Sequence, residues 1–168
     1  MRKKQHHIIL AIALFVALLS VTWFNSSEQL MPEVSFTDID GQVHTTAHYQ
    51  GKPLLVIFWA TDCPGCVQEM PELVKLYETY SSEKLSMLGI AMAHDSLNHI
   101  EAMRADKKLP YPITWDKSNQ LAQAFDNVRV TPTHFLIAPN GEIVMRKIGS
   151  LNMELIHHKL QGIGLNKT

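Results

Sequence analysis

Residues 54–66 read Leu54-Leu55-Val56-Ile57-Phe58-Trp59-Ala60-Thr61-Asp62-Cys63-Pro64-Gly65-Cys66, an apolar run that breaks at Thr61-Asp62 and ends in two cysteines. A run that is apolar at every position lacks the alternation of a half-buried strand. It is the pattern of a central strand covered on both faces. A helix follows it. Pro64 fits a first helical turn, where its missing N–H would be unpaired anyway, and Met70, Leu73, Val74, Leu76 and Tyr77 keep helical periodicity to about Tyr80. Cys63 and Cys66 are the only 2 cysteines in 168 residues, so a disulfide within the chain closes a loop too short to staple a fold. Such a bond is one that is made and broken in use.

The rest of the chain extends this strand and helix in both directions. Residues 34–39 and 42–45 alternate apolar and polar side chains around Asp40-Gly41, which predicts a β-hairpin. Residues 86–92 form a second buried strand and residues 96–107 a second helix, with Ser96 as N-cap. An extended segment at 110–115 and a short helix at 119–125 come next. Two strands at 134–138 and 142–148, joined by Pro139-Asn140-Gly141, precede a last helix at 152–162. The order predicts an α/β layer fold with a mixed sheet, parallel in its middle and antiparallel at its end.

Arg2, Lys3 and Lys4 precede an uncharged stretch at 8–24, with Trp23 and Phe24 at its far end. A basic flank before an apolar run stays on the cytoplasmic side, so residues 1–24 read as a membrane anchor with the remainder across the membrane. No Ala-x-Ala-like site follows, which favours an anchor over a cleaved signal peptide. Residues 25–31 read as a polar linker and 32–168 as one domain, large enough to bury a core without metal or cystine support. Without Arg2, Lys3 and Lys4, 12 of the 15 basic residues face 16 acidic ones, a formal net charge of −4. That balance, with no basic stripe or tail, excludes nucleic acid as the partner.

A thiol attacks a disulfide only as thiolate, and a helix N-terminus favours an anion through its dipole and unpaired N–H groups. Cys63 is placed there. Cys66, three residues on, lies on the same face within bonding range. Cys63 is therefore the attacking sulfur and Cys66 the one that resolves the mixed disulfide. Half a zinc site is disfavoured because no second Cys pair exists. Haem attachment needs His after Cys66, where Val67 stands. Two inert core cysteines are the plain alternative, but strand-to-helix junctions usually host chemistry. Among the histidines, His44, His48, His94, His99, His134, His157 and His158 show no ligand spacing. His157-His158 reads as a solvated face and His134, two residues past Pro132, as a structural strand residue.

The combination of FWATDCPGC, then Glu69 and Pro71, and later VTPTHFLIAPNGEI resembles the membrane-anchored, thioredoxin-like disulfide reductases of the TlpA/ResA type, from about residue 32 to the last helix plus the anchor. The resemblance implies a thioredoxin-like fold with an N-terminal hairpin and a central strand-helix insertion. It further implies that Pro132 is cis and faces the dithiol, that Thr131 and Pro132 bind substrate, and that Glu69 accepts or relays protons. Trp59 and Asp62 would belong to the substrate surface. Asp62 departs from the family, which commonly has Trp there; a carboxylate beside Cys63 opposes thiolate formation unless it turns outward and caps the helix.

These readings converge on a monomeric thiol-disulfide oxidoreductase without a cofactor beyond its redox-active disulfide, tethered to the outer face of a bacterial cytoplasmic membrane. The resemblance favours reduction of client disulfides, with apocytochrome c as client and a membrane thiol transporter as electron donor. An oxidase that donates its disulfide is the rival of the same chemistry. A copper-binding thioredoxin-fold module is the rival of another class, since thiolates favour Cu(I). A peroxidase is disfavoured because Ala60 stands where that chemistry wants Thr.

Overall fold

The computed structural model describes residues 29–165 together with Phe15, and at 81–83 the backbone only. The anchor expected at 1–24, apart from Phe15, and residues 25–28 of the expected linker lie outside the described residues. Among the described residues no helix is long and apolar enough to cross a membrane.

A 5-stranded sheet organises the chain. Its strands are β3 (Leu54–Trp59), β4 (Ser86–Ala91), β5 (Ile113–Trp115), β6 (Thr133–Ile137) and β7 (Ile143–Ile148), in the order β5-β4-β3-β6-β7. β3 lies at the centre, as its unbroken apolar run predicts. It pairs parallel with β4 and antiparallel with β6, so parallel and antiparallel halves meet at β3 rather than the parallel part occupying the middle. The helices are α1 (Pro64–Lys84), α2 (Leu97–Lys107), α3 (Gln120–Ala124) and α4 (Met153–Gly162). Ser96 caps α2 by accepting the His99 amide, and Asn152 caps α4 by accepting the Leu155 amide.

Alternation along β3 divides the core. Leu55, Ile57 and Trp59 meet Cys66, Met70, Leu73 and Tyr80 of α1 and Ile156 and Leu160 of α4. On the other face, Leu54, Val56 and Phe58 meet Phe36, Leu121 and Phe125. There Phe58, Phe125 and Phe135 pack edge to face with centroids 5.2 to 5.9 Å apart. Both faces of β3 are thus covered, which holds the strand end that presents the dithiol.

The predicted hairpin is β1 (Ser35–Thr37) and β2 (Val43–Thr45), followed by a 3-10 turn at Thr46–Tyr49 that the sequence pattern does not announce. It leans on the sheet edge: Ile39 N–H donates to Ile113 O at 2.9 Å, and Arg104 clamps Asp40 at 2.7 and 2.8 Å. The expected linker boundary moves. Residues 29–31 join the domain, because Met31 N–H donates to Gly141 O and Ile143 N–H to Gln29 O, both at 2.8 Å. Pairing with the start of the edge strand β7 satisfies backbone groups that would otherwise be exposed.

Candidate active site

The dithiol sits where β3 hands over to α1. Cys63 N–H donates to Ala60 O at 3.2 Å, which tightens the turn, and Val67 N–H reaches Cys63 O at 3.1 Å to begin the helix. Cys63 occupies the N-cap position, and its sulfur does what a capping oxygen does: Cys66 N–H points at Cys63 Sγ from 3.2 Å. Cys63 and Cys66 form a disulfide across Cα atoms 5.3 Å apart. Cys63 is half-buried while Cys66 is 2% exposed, so an incoming partner reaches only Cys63. The helix dipole and the Cys66 amide both favour negative charge on that sulfur.

The loop before the dithiol is anchored from the turn that follows β4. Asp95 accepts the Thr61 amide at 2.7 Å and the Thr61 hydroxyl at 2.8 Å. Asp62 turns outward to His94 Nε2 at 3.2 Å, both side chains largely exposed. It does not cap α1, since Cys63 fills that role.

The Thr131–Pro132 peptide is cis. Pro132 lies against the dithiol turn: a Cβ built on Gly65 would be 3.7 Å from Pro132 Cδ and 3.5 Å from Ser150 Oγ. Pro132 O accepts from Gly149 N–H at 2.8 Å, whereas no backbone hydrogen bond engages Thr131 among the described residues. Thr131 is half-buried, and its backbone groups stand free of the ladder next to the proline that packs on the dithiol turn.

Trp59 does not belong to a client surface. It is 2% exposed, with its indole packed over Gly89 in the core between β3 and α1. The parity of β3 sends position 59 to the helix-covered face, as it does 55 and 57.

Glu69 is buried one turn along α1 from Cys66, on the same face. Its Oε1 lies 2.7 Å from His134 Nε2, and its Oε2 accepts Leu151 N–H at 3.2 Å. His134 is fully buried, and strand alternation alone gives it no special role. The signal that could have found it is parity with Pro132: residues two apart on a strand share a face. Tyr111 stands near; burial pushes its phenol well above the ordinary range, and the Glu69 charge adds to that. His157, read as solvated, is half-buried with Nδ1 2.9 Å from the Tyr80 hydroxyl.

A disulfide at the head of a helix, with one sulfur half-buried and the other buried behind it, and a cis-proline packed on their turn define a redox-active protein of thioredoxin-like fold. Residues 28–146 match the AhpC/TSA family, and the chain belongs to that family. The thiol-disulfide oxidoreductase ResA of Geobacillus kaustophilus is 28% identical over 96% of this chain and 98% of its own length. The sporulation thiol-disulfide oxidoreductase A of Bacillus subtilis is 25% identical over 85% of this chain and 92% of its own. Among solved structures, a thiol:disulfide interchange protein of the thioredoxin family from Chlorobium tepidum superposes with a TM-score of 0.75, at 24% identity over 83% of this chain and 99% of that one. The fold is thus thioredoxin-like, with the hairpin sheet added at its N-terminal side.

Proposed function

We propose that this chain is a thiol-disulfide oxidoreductase that reduces client disulfides on the outer side of a membrane. One observation carries the reading: an accessible Cys63 whose sulfur receives an N–H, backed by a buried Cys66. In the reduced state the Cys63 thiolate attacks one client sulfur. The client S–S bond breaks, a mixed disulfide forms, and the second client sulfur leaves as thiolate. Cys66 then gives up its proton and attacks Cys63, releasing the client dithiol and closing Cys63–Cys66. The client gains two electrons and the dithiol loses them, so no further cofactor is called for.

The names of the ResA and sporulation relatives support exchange over peroxide chemistry, as does Ala60, which brings no hydroxyl to the dithiol. The basic flank and apolar stretch at 1–24 support a tethered domain, and the ResA alignment runs through nearly the whole chain. A client with vicinal cysteines awaiting haem, such as apocytochrome c, and a membrane thiol transporter as electron donor complete the reading.

The test is a Cys66→Ala variant expressed in full length, which is expected to accumulate mixed disulfides on Cys63 recoverable from membranes. Absence of any Cys63-dependent adduct sinks the proposed order of attack. The direction is decided by the reduction potential: a value near about −120 mV, that of a strong oxidant, replaces reductase by oxidase. Tight stoichiometric Cu(I) binding without client reduction replaces the enzyme by a copper carrier.

A further inference from the structure

His134 and Glu69 meet at 2.7 Å between β6 and α1, yet only Glu69 has so far been given chemistry. The proton in that contact can be assigned. Glu69 Oε2 accepts the Leu151 N–H, which suits a carboxylate and offers Oε1 as a second acceptor. The hydrogen on the contact then belongs to His134 Nε2, leaving Nδ1 as a lone pair. His134 Nδ1 has no partner among the described residues and is fully buried. Either alternative, an imidazolium or a Glu69 acid donating to Nε2, places an N–H on Nδ1 with nothing to receive it. Every state leaves Nδ1 unpaired, but the neutral Nε2–H imidazole leaves a lone pair there rather than an orphaned N–H and lets both oxygens of an ionised Glu69 accept, and it is selected on that ground.

We propose that His134 is a positioning residue for the resolving step: its Nε2–H fixes the Glu69 carboxylate in the orientation that takes the proton of Cys66. The Cys66 S–H bond breaks and its proton passes to a Glu69 oxygen. The sulfur electron pair forms the Cys63–Cys66 bond as the client sulfur departs with the pair of the mixed disulfide. The inference rests on the oxidoreductase reading and assigns a residue to its second half. Titratable or charged groups on the surrounding elements include Cys66 on α1, Tyr111 before β5, Lys147 opposite His134 on β7, and Glu154 and His157 on α4. Lys147 and Glu154 are exposed, and solvent screens them.

The test is a single turnover of the reduced full-length chain with 5,5′-dithiobis(2-nitrobenzoate), in which Cys63 attack releases one thionitrobenzoate and Cys66 resolution a second. His134→Leu is expected to leave the first phase unchanged and to slow the second ~10-fold or more, because an acid–base contribution is lost. His134→Gln, whose amide can still donate to Oε1, is expected to restore the second phase. In a Glu69→Gln background, His134→Leu is expected to add nothing. An unchanged second phase in His134→Leu, or equal slowing of both phases in His134→Leu and His134→Gln, overturns the proposal. Should His134→Leu not fold, nitrogen-15 histidine NMR of the unsubstituted chain decides: the neutral Nε2–H tautomer at pH 7 upholds the assignment, and imidazolium or the Nδ1–H tautomer overturns it. If the unsubstituted chain gives no first phase at all, the oxidoreductase reading itself fails.

Discussion

Gly65 separates the two sulfurs, yet nothing in the backbone there demands glycine: its φ is not in the left-handed region, and a Cβ would meet Ser150 Oγ at 3.5 Å and Pro132 Cδ at 3.7 Å, both ordinary contacts. Gly65→Ala is therefore expected to raise stability by about 0.5–1 kcal/mol, the helical gain of alanine over glycine, measured by urea unfolding. A loss would mean that the turn and Pro132 are packed more tightly than the contact distances indicate. Asp62 presents the opposite case, a side chain whose chemistry points at Cys63 while its geometry points away. Because Asp62 and His94 are largely exposed and paired with each other, Asp62→Asn is expected to speed Cys63 alkylation at neutral pH by no more than about fivefold. A much larger change would show that the carboxylate acts on the thiolate directly. The dithiol and the place of Glu69 on the Cys66 face of the helix were legible from residue type and spacing, but the burial of Glu69 was not. Nor was that of Trp59, because an aromatic residue near a motif gives no sign of which face of its strand it occupies.

At the level of elements, β4 and the hairpin each depend on a close contact. Gly89 in β4 leaves room for Trp59 Nε1, Ile113 Cγ1 and Tyr111 Cε2, which a Cβ would approach to 3.2 to 3.3 Å. All three belong to buried residues of the same core, so Gly89→Ala is expected to cost about 1–3 kcal/mol by overpacking, read from urea unfolding. The hairpin is tied by Asp38, which accepts the Asp40 and Gln42 amides and pairs with His44 Nε2 at 2.7 Å. Burial pushes the Asp38 carboxyl up, but those bonds outweigh it and leave it below the ordinary value. A carboxyl lowered on folding contributes stability above its unfolded value, about 4, and loses it as pH falls through the folded value. Asp38→Ala is expected to destabilise by about 1.5–3 kcal/mol at pH 7, with the difference shrinking in acid below pH 4; a difference constant down to pH 2 contradicts this account. Each described strand and α-helix had a counterpart in the sequence pattern, whereas the 3-10 turn at Thr46–Tyr49 left no mark there. The partners of these strands and helices were less legible. Neither the pairing of residues 29–31 with β7 nor the meeting of His134 with Glu69, 65 positions apart, leaves a local mark, since periodicity gives a face and not what covers it.

For the molecule as a whole, the dithiol and the fold are two ends of one thermodynamic cycle. The difference in unfolding free energy between oxidised and reduced protein equals the difference in reduction free energy between the folded pair and the same pair in the unfolded chain. About 1.4 kcal/mol corresponds to about 30 mV. A strong oxidant is one whose fold stabilises the reduced form, as a well-supported thiolate does. Among the described residues the Cys63 sulfur receives one N–H within hydrogen-bonding distance, from Cys66, while Asp62 turns away to His94. The thiolate therefore has modest support, and a reductant is expected. Urea unfolding at pH 7, with and without excess dithiothreitol, is expected to show the oxidised protein at least as stable as the reduced one, with a Cys63→Ser, Cys66→Ser chain insensitive to the reagent. A reduced form more stable by about 3 kcal/mol or more, equivalent to about 60 mV, would mean that the fold drives electrons into its own dithiol, and the same site would then work as a disulfide donor.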